Sequence, residues 1–226
     1  FGDASSRFGD LDRIEVLKGP QGVLYGGSNI GGAVKFISTR PSPDETTGHI
    51  KLMAGEQSST DVEGSINLPI GNEWAVRLFA FTREDDGFMY NPTTDDDSVA
   101  GYEESGGRIS IAGPLSDNLS LYASLRSNQY DGPNNNWALE RGTPPNFDYP
   151  YINDIETPSN NDKETYGASL ELVWELDGFD VTSITSYTDT DAKRLTDVDL
   201  QPELWLNARQ NETFEATIQE IRFASN

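Results

Sequence analysis

Apolar and polar residues alternate one by one along several stretches of this chain, and this two-residue period constrains its fold more than any other feature. In Tyr166–Leu176 the residues Ala168, Leu170, Leu172 and Trp174 lie on one face, against Ser169, Glu171 and Glu175 on the other. Successive side chains of a β-strand point to opposite faces, so the pattern predicts a strand with one apolar and one polar face. No long window keeps the period of an amphipathic helix. We therefore expect an all-β dominated chain.

About eight stretches beyond residue 42 carry this strand pattern. Several of them reach the roughly 9–11 residues of a tilted membrane strand, which exceeds the usual strand length of about 5–6 residues. No apolar run approaches the roughly 20 residues of a membrane-spanning helix. The stretches begin at His49, Asp61, Glu73, Gly107, Asn118, Thr165, Phe179 and Thr217.

Short and long connections alternate between the predicted strands. The short ones are turns rich in Pro, Gly, Asn and Asp at Pro69–Glu73, Gly113–Asn118 and Glu175–Gly178. An outer-membrane barrel sorts its connections in this way, with short turns in the periplasm and long loops outside the cell. The sequence therefore predicts part of a transmembrane antiparallel β-barrel. The predicted long loops are Glu84–Glu104, Ser127–Glu164 and Asp189–Glu215.

The charge and the residue types exclude several functions. The chain has 38 Asp and Glu against 16 Lys and Arg, a net charge of −22, which argues against nucleic acid as a partner. The absence of cysteine excludes disulfides and thiolate metal sites. The only histidine, His49, lies at the start of a predicted strand, and nothing suggests a catalytic triad around it. We expect neither an enzyme nor a cofactor.

Two predicted loops contain candidate binding residues. The first gathers acidic residues without a single Lys or Arg, and a solvated surface is the usual interpretation of such a run. The alternative is calcium binding by Asp95, Asp96 and Asp97, since calcium prefers oxygen ligands, although no EF-hand spacing is present. In the second loop the amides and the indole of one short segment either contact a substrate or merely solvate the loop. That segment consists of Asn134, Asn135, Asn136 and Trp137.

The glycine-dense segment Arg13–Pro41 precedes all these strands. It lacks the G-x-x-x-x-G-K-[ST] pattern of a phosphate-binding loop and has no G-x-G-x-x-G after a strand. Glycines permit tight turns and close backbone approach, so this segment is predicted to be a compact unit. Its two short strands are expected at Arg13–Lys18 and Ala33–Ser38.

This segment resembles the end of the plug domain of TonB-dependent outer-membrane receptors. The family pattern is Arg-Ile-Glu-Val, a basic residue with Gly-Pro, Leu-Tyr-Gly, Gly-Gly, an apolar strand, and a closing basic residue with Pro. The match extends in order over about thirty consecutive residues. The matching positions in this chain include Arg13, Glu15, Lys18, Gly19, Pro20, Leu24, Tyr25, Gly26, Gly31, Gly32, Arg40 and Pro41.

The resemblance implies a fragment of a plugged transmembrane antiparallel β-barrel. Residues 1–41 would be the C-terminal part of the plug domain, and residues 42–226 the N-terminal part of the barrel, which has 22 strands in plugged transporters. The family's function is TonB-dependent active uptake of a scarce nutrient, such as a siderophore, cobalamin, haem or an oligosaccharide, across the bacterial outer membrane. The implied partners are outer-membrane lipid, the substrate and the TonB protein, which engages an N-terminal TonB box that this chain lacks.

Two other architectures remain compatible with the alternation. One is a soluble or surface-attached β-sandwich that binds glycans, with Trp137, Tyr149 and Tyr151 stacking on sugar rings. Aromatic residues at strand ends are equally expected as anchors at the membrane interface. The other is a closed eight-stranded pore, but such a barrel is filled by its own side chains and has no room for residues 1–41.

The membrane interpretation predicts how the plug is held. Even-numbered positions of Tyr166–Leu176 would face lipid, and odd-numbered positions would face the lumen. Lys18 or Arg40 is then predicted to pair with at least one acidic side chain on the luminal face. The candidate acids are Glu171, Glu175 and Glu220.

Overall fold

A computed structural model describes residues 9–19, 31–56, 58–134, 151–157, 159–198 and 205–225. In this part of the chain all regular structure is β-strand, and no helix is long and apolar enough to cross a membrane. In chain order the strands are β1 (Leu11–Lys18), β2 (Gly32–Ser38), β3 (Thr47–Ala54), β4 (Thr60–Ile70), β5 (Trp74–Asp85), β6 (Met89–Asn91), β7 (Asp96–Val99), β8 (Tyr102–Ser116), β9 (Leu119–Gly132), β10 (Tyr151–Ile152), β11 (Asn160–Leu176), β12 (Phe179–Asp197) and β13 (Asn207–Ser225).

The largest sheet contains eight antiparallel strands in the order β3, β4, β5, β8, β9, β11, β12 and β13. These are the eight strands that the alternation predicts. Most are longer than expected, since β12 and β13 each reach 19 residues and extend from both sides into the predicted loop Asp189–Glu215. Within the described residues β3 and β13 are the two edges and do not pair with each other, so the sheet is open rather than a closed eight-stranded pore.

One face of this sheet is apolar and exposed. The strand register aligns Ile66, Leu78, Ile109 and Leu125 in a single row across four strands. A β-sandwich would cover such a face with a second sheet, whereas here the large apolar side chains remain accessible. Further members of this face that are at least one-third exposed are Ile50, Leu52, Val62, Leu68, Leu170, Ile221 and Phe223.

Aromatic residues lie near both ends of the apolar face. On β11 the exposed ring of Tyr166 lies toward the long loops, and the exposed indole of Trp174 lies close to a tight turn. Eight residues separate them, which corresponds to about 26 Å along an extended strand. This length is comparable to the roughly 25 Å apolar band of an outer-membrane barrel, which is flanked by aromatic girdles.

The connections are sorted by length between the two ends of the sheet. The short turns at residues 71–73, 117–118 and 177–178 all lie at one end. At the other end residues 55–59, 86–101, 133–159 and 198–206 connect the strands. The sorting agrees with the prediction, but the loops are shorter than expected because the strands continue into them.

Two of the loops share a small sheet that the alternation does not predict. Strand β6 pairs antiparallel with β7 in the first loop and parallel with β10 in the second. Met89, Val99 and Ile155 are buried there. The fully buried side chain of Asn91 donates a hydrogen bond of 2.7 Å to the carbonyl oxygen of Ile155 and so joins the two loops.

The glycine-dense segment contains the predicted hairpin. Strands β1 and β2 pair antiparallel, with Glu15 opposite Lys35. Gly32 has a φ of +142°, and a Cβ atom there would lie 2.3 Å from the carbonyl oxygen of Leu17, so a side chain does not fit. This glycine is therefore required by the close approach of the two strands.

Candidate functional site

The hairpin docks against the second face of the large sheet, which we call the inner face. One register row crosses the whole sheet on this face, and most of its side chains are polar. The inner face therefore differs sharply from the exposed apolar face, as expected for a sheet with lipid on one side and a wet lumen on the other. The row consists of His49, Ser65, Phe79, Arg108, Arg126, Gly167, Thr188 and Ala216.

Asp10, just before β1, is the centre of the docking contact. Its carboxylate accepts hydrogen bonds of 2.8 and 2.5 Å from Arg77 and one of 2.7 Å from Arg108. The Asp10 side chain is only 1% exposed, and both guanidinium groups are largely buried. A buried carboxylate between two buried arginines holds the segment at one position, because separating them leaves charges without partners.

The backbone around Asp10 strengthens the same contact. Thr39 donates from its backbone N–H and its hydroxyl to the carbonyl oxygen of Asp10, at 3.0 and 3.1 Å. Arg108 also donates to the hydroxyl of Ser38 at 2.9 Å. Both ends of the hairpin are thus tied to the inner face at one place.

Arg40 forms a second ion pair with the sheet. Its guanidinium donates two hydrogen bonds of 2.8 Å to the two carboxylate oxygens of Glu171 on β11. The guanidinium carbon also lies 4.5 Å from the centre of the Tyr122 ring, within cation–π range. The hydrogen bonds to Glu171 raise the pKa of Arg40 above its ordinary value. The predicted pairing between the plug segment and a luminal acid is confirmed for Arg40 and Glu171.

Neither of the other two candidate acids forms an ion pair with Arg40. Glu220 forms an ion pair with Arg222 on its own strand. Glu175 forms no ion pair with any residue that the structure describes, and its backbone N–H donates to the carbonyl oxygen of Asn118. Arg40 and Glu171 therefore form the one pair in the predicted set that the structure brings together.

We expect a modest energetic coupling between Arg40 and Glu171. Arg40 is 53% exposed, so water screens the pair, and the coupling free energy should be about 0.5–1 kcal/mol. It can be measured with a double-mutant cycle of Arg40→Ala and Glu171→Ala, reading plug release by denaturant in the complete protein. Arg13→Ala with Glu171→Ala is the matched control, since Arg13 contacts Asp12 and Glu15 instead. A coupling no larger than that of the control would show that the contact contributes nothing to retention.

The remaining motif residues serve the hairpin itself or lie outside the described residues. Arg13 donates to Glu15 at 2.8 Å, and this hydrogen bond, aided by Lys35, lowers the pKa of Glu15. The backbone N–H of Gly19 donates to the carbonyl oxygen of Gly31 at 3.2 Å, and Pro41 is buried. The positions outside the described residues are Pro20, Leu24, Tyr25 and Gly26.

The loop candidates receive little structural support. Asn134 donates to the hydroxyl of Thr196 at 2.9 Å, whereas Asn135, Asn136 and Trp137 lie outside the described residues. Asp95 accepts a hydrogen bond from Tyr90, and Asp96 accepts two from Ser98. In the described ranges no three acidic or histidine side chains are placed to hold a metal ion.

The inner face and the residues at the two ends of the hairpin line an open cavity of about 750 Å³. This volume lies within the usual range of ligand sites. The hairpin side contributes Gly9 and Ser38, and the sheet contributes aromatic, hydroxyl and basic side chains, among them Phe79, Arg108 and Arg126. The cavity therefore lies between the hairpin and the inner face of the sheet.

Sequence reasoning missed the central ion cluster. The alternation places Arg77 on the polar face of its strand but gives no partner for it. Nothing in the local sequence distinguishes Asp10 from the exposed Asp12 two residues later. The one available signal is that an arginine buried on a strand requires an acid nearby in space.

Comparison with known proteins shows what the chain is similar to. Residues 3–33 match the model of the TonB-dependent Receptor Plug Domain. The ferrioxamine receptor of Yersinia enterocolitica is 40% identical over 76 residues, which are 34% of this chain and 11% of that protein. The first part of the chain is therefore similar to the plug domain of TonB-dependent receptors.

Two further comparisons extend over more of this chain. The vitamin B12 transporter BtuB of Vibrio vulnificus is 29% identical over 135 residues, which are 58% of this chain and 22% of that protein. The crystal structure of the ferric yersiniabactin uptake receptor FyuA from Yersinia pestis superimposes with a TM-score of 0.82 at 19% identity, covering 96% of this chain and 33% of that one. The fold is therefore that of a plug segment with strands of an outer-membrane β-barrel, and the chain spans a third or less of these relatives.

Proposed function

We propose that the complete TonB-dependent receptor takes up a scarce nutrient across the bacterial outer membrane. The observation that carries this proposal is the docking of the plug segment on the inner face through Asp10 and Arg40. A plug held by polar and ionic contacts in a wet lumen stays in place at rest. It also yields to a pull without the exposure of a large apolar core.

The names of the similar proteins suggest which class of nutrient to test first. Similar proteins are receptors for ferrioxamine and a transporter for vitamin B12, so a siderophore or cobalamin is the first class to test, with haem and oligosaccharides next. The partners in this proposal are outer-membrane lipid on the apolar face, the nutrient in the lumen and the TonB protein. TonB would pull on a TonB box at the N-terminal end of the plug. Catalysis has no role in this scheme.

Uptake of labelled nutrient by cells tests the function. The strain that carries the complete receptor should accumulate iron-loaded siderophore or cobalamin, and deletion of either the receptor gene or tonB should abolish the accumulation. Re-expression of the receptor in the first strain should restore it. Uptake that persists without tonB, or no change on deletion of the receptor for any of the proposed nutrient classes, would refute the proposal.

We further propose a domain boundary after Pro41. Strand β2 ends at Ser38, and the large sheet begins at Thr47. Between them Asn67 of β4 holds the chain by donating to the carbonyl oxygens of Ser42 and Glu45, both at 2.8 Å. Residues 1–41 would move with the plug, and residues 42–226 would remain with the barrel.

The same proposal places the long loops outside the cell and the tight turns in the periplasm. Thr94 lies in the first loop and Asp117 in a tight turn, and both are exposed. Because the chain has no native cysteine, Thr94→Cys and Asp117→Cys can be labelled singly. In intact cells a membrane-impermeant maleimide should label only the first, while permeabilised cells should label both. Labelling of the Asp117 variant in intact cells would reverse the orientation.

A further inference from the structure

The side chain of Asn67 on β4 holds the linker, residues 39–46, which connects the hairpin to the large sheet. Its Oδ1 accepts a hydrogen bond of 3.0 Å from the backbone N–H of Ser42. Its Nδ2 donates to the carbonyl oxygens of Ser42 and Glu45, both at 2.8 Å. Asn67 is only 2% exposed. A buried amide whose acceptor and both donor hydrogens are occupied fixes the linker at one point, because each broken bond leaves a polar group away from water.

The sequence of the linker explains why a side chain holds it. Ser42 lies between Pro41 and Pro43, and proline has no backbone N–H, so this tripeptide cannot continue a strand ladder. Ser42 therefore carries the single backbone N–H of residues 41–43. The amide of Asn67 pairs with the N–H and the carbonyl group of Ser42, as the backbone of a neighbouring strand would.

The point held by Asn67 lies beside the buried docking contact of the hairpin. Asn67 is directly opposite Arg77 in the register, and Arg77 binds Asp10. Thr39, which donates to the carbonyl oxygen of Asp10, precedes Ser42 by three residues. Three extended residues span at most about 11 Å, whereas the eight residues from Thr39 to the start of β3 span about 29 Å. With Asn67 in place, a displaced hairpin therefore stays close to its docking site.

We propose that Asn67 is a positioning residue of the transport cycle, which retains the linker when the plug segment is displaced and returns the hairpin to its docking site afterwards. This inference rests on the proposed uptake function, in which the plug segment moves and the barrel does not. A pull from the N-terminal side loads the contacts in chain order, first Asp10, then Arg40 and last the linker at Asn67. The plug segment is then released before the linker.

The test is single-molecule force spectroscopy of the complete receptor in a lipid bilayer, pulled at the N-terminal end of the plug. In the wild type a separate last step should free residues 42–46 and lengthen the chain by about 18 Å. Asn67→Leu has a similar size and no hydrogen-bonding group, so this step should disappear. When the force is relaxed after plug release, the hairpin should redock about fourfold more slowly in Asn67→Leu. The reason is that effective concentration falls roughly as the −3/2 power of tether length.

Asn128→Leu is the matched control, because Asn128 lies on the same face and donates to Glu104 within the sheet. It should keep both the separate step and the redocking rate. Asn67→Asp adds a chemical readout. At neutral pH its carboxylate cannot donate to the carbonyl oxygens, so the step should be lost. In acid the protonated carboxyl group has one donor and one acceptor for Ser42, so the step should return, whereas acid should not restore it in Asn67→Leu.

Three results would overturn this inference. They are an unchanged step and redocking rate in Asn67→Leu, equal losses in Asn128→Leu, and no acid recovery in Asn67→Asp. The heat-dependent gel mobility of the barrel shows whether each variant is folded. Ser42→Pro removes the N–H partner without changing any strand, so it should also lose the step even if Asn67→Leu does not fold. The pulling experiment contains neither nutrient nor TonB, so this inference and the proposed uptake function can each fail alone.

Discussion

Replacing Asp10 with asparagine should loosen the plug segment more than any other single substitution on its docking face. Asp10 lies between Arg77 and Arg108 and is almost completely buried. Asparagine tolerates the left-handed backbone at this position, where φ is +54°, so the substitution removes the charge without straining the chain. Leaving two buried guanidinium groups without their counter-charge should cost about 3–5 kcal/mol. Protease sensitivity of the hairpin in urea, measured in the complete receptor, reports this loss.

Asp12→Asn provides the matched control for Asp10→Asn. Asp12 is 52% exposed and, within the described residues, pairs with the exposed Arg13, so its replacement should change stability far less. Adding Arg77→Met to Asp10→Asn should recover part of the loss, because it removes one of the two uncompensated charges. Equal effects of the Asp10 and Asp12 substitutions would show that the buried cluster does not hold the plug.

The second large effect is expected on the apolar face at Leu170. This residue lies midway between Tyr166 and Trp174 on β11 and is 39% exposed on the face opposite Glu171. Leu170→Arg would place a charge near the centre of the bilayer, at a cost of about 2–4 kcal/mol. The free energy of unfolding of the complete receptor in lipid vesicles, or its folded fraction in the outer membrane, measures the effect.

Ser169→Arg is the control for the face assignment. Ser169 lies next to Leu170 but lines the inner cavity, where water and the neighbouring Glu171 accommodate a positive charge. Its replacement should therefore cost much less than that of Leu170. Similar losses for the two variants, or a larger loss for Ser169→Arg, would contradict the assignment of lipid and lumen to the two faces.

The strands were predictable because their signal is local. The two-residue period of the side chains is enough to predict the two faces of each strand. The Gly, Pro, Asn and Asp residues are enough to predict the position of each tight turn. The hairpin β1–β2 was predictable for a different reason, since about thirty consecutive residues matched one family pattern. The loop boundaries were less accurate, because polar residues at the ends of β12 and β13 look the same in a strand and in a loop.

The docking cluster was not predictable from local sequence. Asp10 and Arg77 are separated by 67 residues, and only the folded sheet brings them within hydrogen-bonding distance. The small sheet of β6, β7 and β10 depends in the same way on two loops that meet only in space. The pairing of Arg40 with Glu171 could be predicted as one of a few possible ion pairs, because the motif offered two basic residues and the predicted luminal face offered three acids.

Because the small sheet of β6, β7 and β10 joins two loops, a chimera should exchange both loops together. A chimera that replaces residues 86–101 alone would remove Asn91 and leave the carbonyl oxygen of Ile155 without its donor. A chimera that replaces residues 133–159 alone would remove the buried side chain of Ile155. It would also remove Asp154, whose carboxylate accepts a hydrogen bond of 2.7 Å from Thr93. Natural variation in these two loops should therefore be correlated, and a transplant of either loop into a relative should carry both segments together.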